Sequence, residues 1–455
     1  MSKEKRWQRL ASDYRQREMI QLADWIVAGE SGVVLGLPGV GRATLLGYLC
    51  HHPDVLTSYL PRDLQVRLLS LDLHNLPDDG LATFYRVILR AFHENLEQFD
   101  EARQQVITTI FRRCEMAATD AFLPQTGLRE LLRLLEAEDV RVVLVLNRFD
   151  RFLQSATVQM TRTLRGLRDA FKGTLCYLMG MGQEAVFLSG VESAAPLRTL
   201  LDMHVFWVPP LGRRDGLDMI WRRMPPGREM PAFAANHLLS LTGGFPSLLR
   251  IACTWWLSGA TNDSETYTWR DRLLSLPPTQ HRLQAIWRSL TQEEQHHLSE
   301  LAAGIVTQPP DPRLQEKGVC RQTDGTWQVA GELLAAFVAN SPTTGRGKVW
   351  RHAKTESIYQ GAKRVEDLAP LEQAVLTYLL ARPYVPHSHD DLITNSWSEV
   401  DNADGVSTEA VYQVVRRIRL KIEPDPAHPM YLVTRRGGYQ FFPEGRPDGA
   451  GDNVI

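Results

Sequence analysis

Two stretches of this 455-residue chain place polar side chains at spacings that suit specific chemistry. In the first, Gly36, Gly39 and Gly41 precede Arg42, with Thr44 two positions further on. Glycines let backbone amides converge on a point, and a helix beginning there adds its unpaired N–H groups, so this spacing builds a cradle for phosphate. Metal-assisted phosphoryl transfer asks for more: a lysine on the terminal phosphates, a hydroxyl on magnesium, and carboxylates at the end of a neighbouring strand. Here Arg42 replaces the lysine, Ala43 takes the hydroxyl position, and Thr44 comes one residue late, about 100° round a helix. The neighbouring strand ends Leu144-Val145-Leu146-Asn147-Arg148-Phe149-Asp150, so an amide and a guanidinium stand where the metal-binding and water-activating acids would be. These replacements predict a cleft that holds ATP or ADP without turnover.

The second stretch is basic. From Val406, the residues Val411, Val414, Val415, Ile418 and Ile422 recur at spacings of three and four and form one apolar helical stripe. The other face carries Tyr412, Gln413, Arg416, Arg417, Arg419 and Lys421, with Ser407 or Thr408 placed to cap the start. Downstream, Tyr431 to Thr434 reads as a strand, Arg435-Arg436-Gly437-Gly438 as a tight turn, and Tyr439 to Phe441 as a returning strand. A basic helix followed by a basic hairpin tip suits double-stranded DNA, with the helix in the major groove and the tip on the backbone or in the minor groove.

The elements that must position these residues alternate in type. Strands are predicted over Gly32 to Gly36, Val66 to Leu73, Val140 to Leu146 and Leu175 to Met179. Helices are predicted over Glu18 to Ala28, Thr44 to His51, Leu81 to about Ala118, and Gly127 to Ala137. Such βαβα order gives an α/β doubly wound parallel sheet. Residues Pro231 to Leu257 read as a helical lid broken at Gly243-Gly244-Phe245-Pro246, and the Thr291/Glu294 capping box opens a further helical unit. Its helices carry no basic face, which predicts a packing role. The stretch Ser341 to Gly347 has linker composition.

The net charge of -2 shows no overall basic excess, so a DNA site must be local. Asp390 to Asp404 carries five acids and no base, which polarises the carboxyl region. The five cysteines are scattered without metal-ligand or paired spacing and read as buried free thiols, with no metal site. A polar amino end and the lack of a long apolar run predict a cytoplasmic protein with no membrane partner.

At Leu368-Ala369-Pro370-Leu371-Glu372, Asp391-Leu392, Trp397, Val411 to Lys421 and Thr434 to Tyr439 the chain resembles the OmpR/PhoB-type winged helix. The resemblance implies that Gln413 and Arg417 face bases and that Tyr412, Arg416 and Arg419 contact phosphate. It also implies that Arg436 reaches the minor groove from a wing that includes Thr434 and Arg435. The wing is one residue shorter than the family pattern, and Glu409 puts an acid near the helix start. Gln16-Arg17-Glu18, Gly36 to Ala43 and Leu241 to Pro246 resemble the signal-transduction ATPases with numerous domains (STAND) and the Orc1/Cdc6-like AAA+ ATPases. That second resemblance implies a degenerate nucleotide site of Arg17, Gly36, Gly39, Gly41, Arg42, Thr44, Asn147, Asp150 and Pro246. Met179-Gly180-Met181 departs from it, lacking the polar sensor.

The architecture expected is therefore a P-loop NTPase-like parallel sheet with a helical lid, followed by two winged-helix domains. Its boundaries are a degenerate P-loop domain over 1–212, a lid over 213–280, a winged-helix-like unit over 281–340, the DNA-binding winged helix over 348–443 and a tail over 444–455. The function expected is sequence-specific DNA binding, with a pseudo-ATPase module that receives a signal, self-associates or docks another protein. The alternative is an ATP-dependent switch, of a defence or initiator type, anchored to DNA by its winged helix.

Overall fold

A computed structural model describes residues 10–115, 120–184, 188, 191–259, 266–304, 310–340, 347–352, 355–361, 363–397 and 407–445. The polar amino end through residue 9, the stretch 341–346, the acidic segment 398–406 and the tail from 446 lie outside the described residues.

The chain divides into two compact units. The first comprises Met1–Ser289, Pro312–Arg321 and Ala330–Leu334; the second comprises Leu290–Asp311, Gln322–Val329 and Ala335–Ile455. This differs from the expected boundaries, because parts of the 281–340 segment belong to the first unit. Two close approaches explain why. The backbones of Gly243 and Gly331 press together so tightly that a Cβ on either would lie 2.4 Å from main-chain atoms of the other segment. Lys317, buried, lies 4.7 Å from the centre of the Trp207 ring and 3.5 Å from Glu184.

The first unit is built on a five-stranded parallel sheet of β1 (Gly32–Leu35), β2 (Gln65–Leu71), β3 (Val140–Asn147), β4 (Leu175–Met181) and β5 (Val205–Trp207), in the order β2-β3-β4-β1-β5. β1 and β4 are buried along their whole length, as strands covered by helices on both faces must be. Helices α1 (Gln16–Ala28), α2 (Arg42–His51), α3 (Leu81–His93), α4 (Phe122–Ala137) and α5 (Val158–Ala170) supply that cover. The single helix expected from Leu81 is two, because the chain breaks after His93 and restarts at Glu101, where the Asp100 carboxylate accepts the Arg103 N–H. β5 was not anticipated; three residues are too short to show a period.

The lid follows as α6 (Arg213–Trp221), α7 (Ala232–Thr242) and α8 (Pro246–Leu257), with α9 (Pro277–Arg288) beyond it. Gly243 and Gly244, both at positive φ, end α7, and Pro246 opens α8 at its first turn. All five cysteines are buried thiols outside any disulfide among the described residues.

In the second unit α10 (Gln292–Ala302) opens on the expected capping box: the Glu294 N–H donates to Thr291 Oγ1 at 3.2 Å, and the Thr291 N–H to Glu294 Oε2 at 2.9 Å. The hairpin of β6 (Cys320–Thr323) and β7 (Thr326–Val329) and helix α11 (Glu332–Asn340) follow, with Cys320–Arg321 of β6 and Glu332–Leu334 of α11 belonging to the first unit. Next comes a three-stranded antiparallel sheet, β8 (Val349–Arg351), β9 (Ile358–Gln360) and β10 (Lys363–Arg364), whose strands again are too short to be legible in sequence. The winged helix is α12 (Pro370–Ala381), β11 (Pro386–Ser388), α13 (His389–Ser396), α14 (Thr408–Ile422), β12 (Leu432–Arg435) and β13 (Gly438–Phe441). The five apolar positions of the α14 stripe are all buried, against Leu376 and Leu379 of α12, Leu392 of α13 and Trp397.

Candidate phosphate cleft and nucleic-acid interface

The cleft of the first unit opens at the carboxyl ends of β1, β3 and β4, where the chain crosses from one side of the sheet to the other and open α/β sheets place their ligands. The loop from Gly36 to Gly41 turns sharply: the Val40 N–H donates to Leu37 O at 3.1 Å, and Gly39 and Gly41 adopt φ of 83° and 96°. Those two glycines are required. A Cβ at Gly39 would lie 2.1 Å from Ser247 Oγ, and one at Gly41 would lie 3.4 Å from Pro246 Cγ. The start of α8 is therefore docked on the loop, and the Ser247 N–H donates to Gly39 O at 3.1 Å. Among the described residues no backbone acceptor takes the N–H of Gly39, Gly41, Arg42 or Ala43, which leaves the cradle amides available.

Arg17, expected at this site, is exposed on α1 and does not line the cleft. Arg15 does the work foreseen for that region. It is only 1% exposed and donates from Nη2 to Val40 O and from Nη1 to Pro209 O, both at 2.8 Å, so it buttresses the loop from behind. Sequence held no signal for this, because its acceptors lie 25 and 194 positions away.

The structure brings Gly36, Gly39, Gly41, Arg42, Thr44, Asn147, Asp150 and Pro246 together along one cleft of about 810 Å³. Arg42 runs beside Gly180 and Gly182; burial lowers its pKa, and its Nε is buried with no hydrogen-bond partner among the described residues. Asn147 spends its amide oxygen on the Arg148 N–H at 3.0 Å. Arg148, at a left-handed φ of 58°, pairs with Asp72 at the end of β2. Asp150 accepts the Gly182 N–H at 2.9 Å. The lining also includes Arg151, Arg250 and Arg282, which sequence reading missed because α8, α9 and the β3 end meet only in the fold.

In the winged helix, Arg416 and Gln413 lie at the centre of the exposed face of α14, with Tyr412 and Arg417 on its flanks. Gln413 donates to Glu409 at 3.1 Å, so the acid near the helix start is partly engaged within its own helix. Arg416 and Arg436 have no side-chain hydrogen bond or ion pair among the described residues. Arg417 pairs through Nε with Glu372 Oε1 at 3.2 Å, and Lys421 Nζ meets Glu372 Oε2 at 2.5 Å. Glu372 is buried on α12 and also accepts the Ala369 N–H at 3.0 Å, so it ties the two helices together.

Arg419, expected on phosphate, is instead half-buried. Its Nε and Nη2 donate to Leu432 O at 2.9 and 2.7 Å, and Nη2 also reaches Thr434 Oγ1 at 2.8 Å. Glu423 completes the joint by accepting the N–H groups of Met430, Tyr431 and Leu432. Burial pushes the Glu423 carboxyl up, while those donors and Arg419 pull it down. The wing turns through Arg436 and Gly437, the latter at φ 79°, and Arg435 donates to Gln440 at 2.8 Å. A Cβ at Gly438 would fall 1.9 Å from His387 O, so only glycine lets β11 pair there.

A phosphate-loop α/β unit followed by a carboxyl winged helix with an outward basic row is the class that this geometry defines. Residues 363–441 match the family model described as "Transcriptional regulatory protein, C terminal", and this segment is an OmpR/PhoB-type winged-helix domain. The chain is similar to the transcriptional regulatory protein YvrH of Bacillus subtilis (strain 168), 38% identical over 90 residues, which are 20% of this chain and 35% of that one. It is also similar to the probable transcriptional regulator ycf27 of Guillardia theta, 33% identical over 85 residues, 18% of this chain and 33% of that one. The chain thus spans about a third of the length of these curated relatives. Among solved structures, a Walker-type ATPase of Pyrococcus abyssi aligns at a TM-score of 0.41 and 13% identity, over 71% of this chain and 95% of the other. The Aeropyrum pernix ORC2 protein aligns at 0.38 and 14%, over 71% and 91%. No helix among the described residues is long and apolar enough to cross a membrane.

Proposed function

We propose that the protein is a sequence-specific DNA-binding regulator whose first unit is a phosphate-loop module that binds ligand or partner without hydrolysis. The observation that carries the reading is the outward row of Gln413 and Arg416 on α14 beside the Arg436 wing tip, in a segment matched by a transcriptional-regulator family model. Base readout goes to Gln413, to the reach of Arg417 beyond its ion pair and, in place of the phosphate contact that the resemblance implies, to Arg416 at the centre of the exposed face. Tyr412 and Arg435 flank the phosphates, and Arg436 takes the minor groove. A single winged helix gains limited affinity, so self-association through the first unit, which brings several readers onto one duplex, supplies avidity.

The test is selection of bound duplexes from a random pool by the full chain, followed by a salt titration on the winner and a scrambled duplex. An enriched sequence is expected, with log K falling by about 0.9 per log unit of salt for each phosphate contacted. No enrichment and no salt-dependent binding would remove the reading. Phosphate release from magnesium-ATP should stay at background. A rate of even ~1 per minute, abolished by Arg42→Ala, would favour the ATP-driven switch instead.

A further inference from the structure

A P-loop fold implies magnesium, and the residues present do not fit one. Magnesium asks for oxygen ligands in octahedral array. Position 43 offers a methyl group, and the Asn147 oxygen is bonded to the Arg148 N–H. Asp150 is the one carboxylate in the cleft lining, and its Oδ2 accepts the Gly182 N–H at 2.9 Å. Among the described residues no group of three His, Cys, Asp or Glu side chains is placed to hold a metal ion.

The same cleft is otherwise built for an anion. The loop backbone retains its two left-handed glycines and its unpaired amides. Five guanidinium groups, those of Arg42, Arg148, Arg151, Arg250 and Arg282, line it, with Arg148 paired to Asp72 and Asp150 the acid among the described lining residues. Two donors of the lining are buried without a hydrogen-bond partner among the described residues: Arg42 Nε and Ser247 Oγ, the second on the lid helix where it meets Gly39. A buried donor left without an acceptor is costly, so two in the lining of one cleft point to an acceptor that completes them.

We infer that this cleft takes a diphosphate-containing anion, a nucleoside di- or triphosphate or inorganic pyrophosphate, as the free anion, with arginine providing the neutralisation that magnesium gives elsewhere. The inference rests on the reading of the cleft as a phosphate site without hydrolysis. Its sign is opposite to that of a metal-dependent site. A bound magnesium ion lowers the charge of the anion and brings a further cation among these guanidinium groups, so the metal complex is the poorer ligand. The volume of about 810 Å³ accommodates a nucleotide and exceeds what pyrophosphate fills.

The experiment is calorimetric titration of the full chain with ATP, ADP and inorganic pyrophosphate, each in EDTA and in excess magnesium. Saturable binding is expected in EDTA, equal to or tighter than in magnesium. Arg42→Ala and Arg282→Ala are each expected to weaken it about tenfold, while melting curves and DNA affinity stay as in the parent chain. Binding of ATP and ADP alone identifies a nucleoside ligand, and binding of all three identifies the diphosphate itself. Any affinity lower in EDTA than in magnesium overturns the metal-free inference but keeps the phosphate site. No binding of any probe in either buffer removes both.

Discussion

Arg416, Arg417, Arg419 and Lys421 look equivalent in the sequence, four cations within six positions, and the fold gives them different work. A helical wheel separates buried from exposed positions, and the five buried residues of α14 were legible that way. It cannot tell which exposed cation a neighbouring element will claim. Arg419 lies on the flank where Leu432 O and Thr434 Oγ1 arrive, and Lys421 and Arg417 lie on the flank where Glu372 arrives. Arg416 faces neither. Arg416→Ala is therefore expected to cost ~1–3 kcal/mol of DNA binding with an unchanged melting curve. Arg419→Ala is expected to behave in reverse, losing ~1.5–3 kcal/mol of domain stability in denaturant titrations because charged hydrogen bonds to a half-buried carbonyl vanish. If Arg419→Ala melts like the parent and loses only DNA affinity, the division of labour argued from these contacts is wrong.

At the scale of elements, the legible parts were long and periodic or sharply punctuated. The buried strands β1, β3 and β4, the glycine turn after β1, the broken lid and the basic helix with its hairpin were all readable, because each carries its own period or its own Gly/Pro signal. The short strands β5, β8, β9, β10 and β11 were not, since two or three residues exist as strands only through their partners. β11 shows what such a partner does. It pairs with β13 through His387↔Tyr439 and Ser388↔Gly438 and so fixes the base of the wing. Gly438→Ala must push the His387 carbonyl away, because its Cβ would arrive at 1.9 Å. The expected outcome is a lowered melting temperature and DNA affinity reduced as far as in a variant lacking the wing arginines. Amide exchange at Tyr439 and Gln440 should rise with it. Unchanged exchange at those positions would show that the sheet absorbs the methyl group, contrary to this geometry.

Across the whole molecule, composition had excluded little: a net charge of -2 hides a local basic face, and domain count follows from length more readily than domain borders do. The border placed at residue 281 rested on a local cue, the Thr291/Glu294 helix cap, whereas the observed division follows from contacts such as Gly243 with Gly331, which no local window contains. The chain passes from the first unit to the second and back twice before it stays in the second after Leu334. A fragment ending at Ser289 is thus expected to melt lower and to exchange faster around Trp207 and Gly243 than one ending at Ser341. Neither fragment should retain the salt-dependent DNA binding of the full chain. Equal melting temperatures for the two fragments would show that Pro312–Arg321 and Ala330–Leu334 add nothing to the first unit.

The interleaving also bears on how such a gene could be reassembled. A crossover that brought in a different carboxyl reader at residue 290 would strip the first unit of Lys317 and Gly331, and with them the side-chain and backbone surfaces that meet Trp207 and Gly243. A crossover between Leu334 and Lys348 would leave the first unit whole and hand on a complete winged helix, although Leu290–Asp311 and Gln322–Val329 of the second unit would stay with the resident chain. Exchange of readers is therefore confined to a window of little more than a dozen codons, and descendants of this architecture should share a seam there and nowhere earlier.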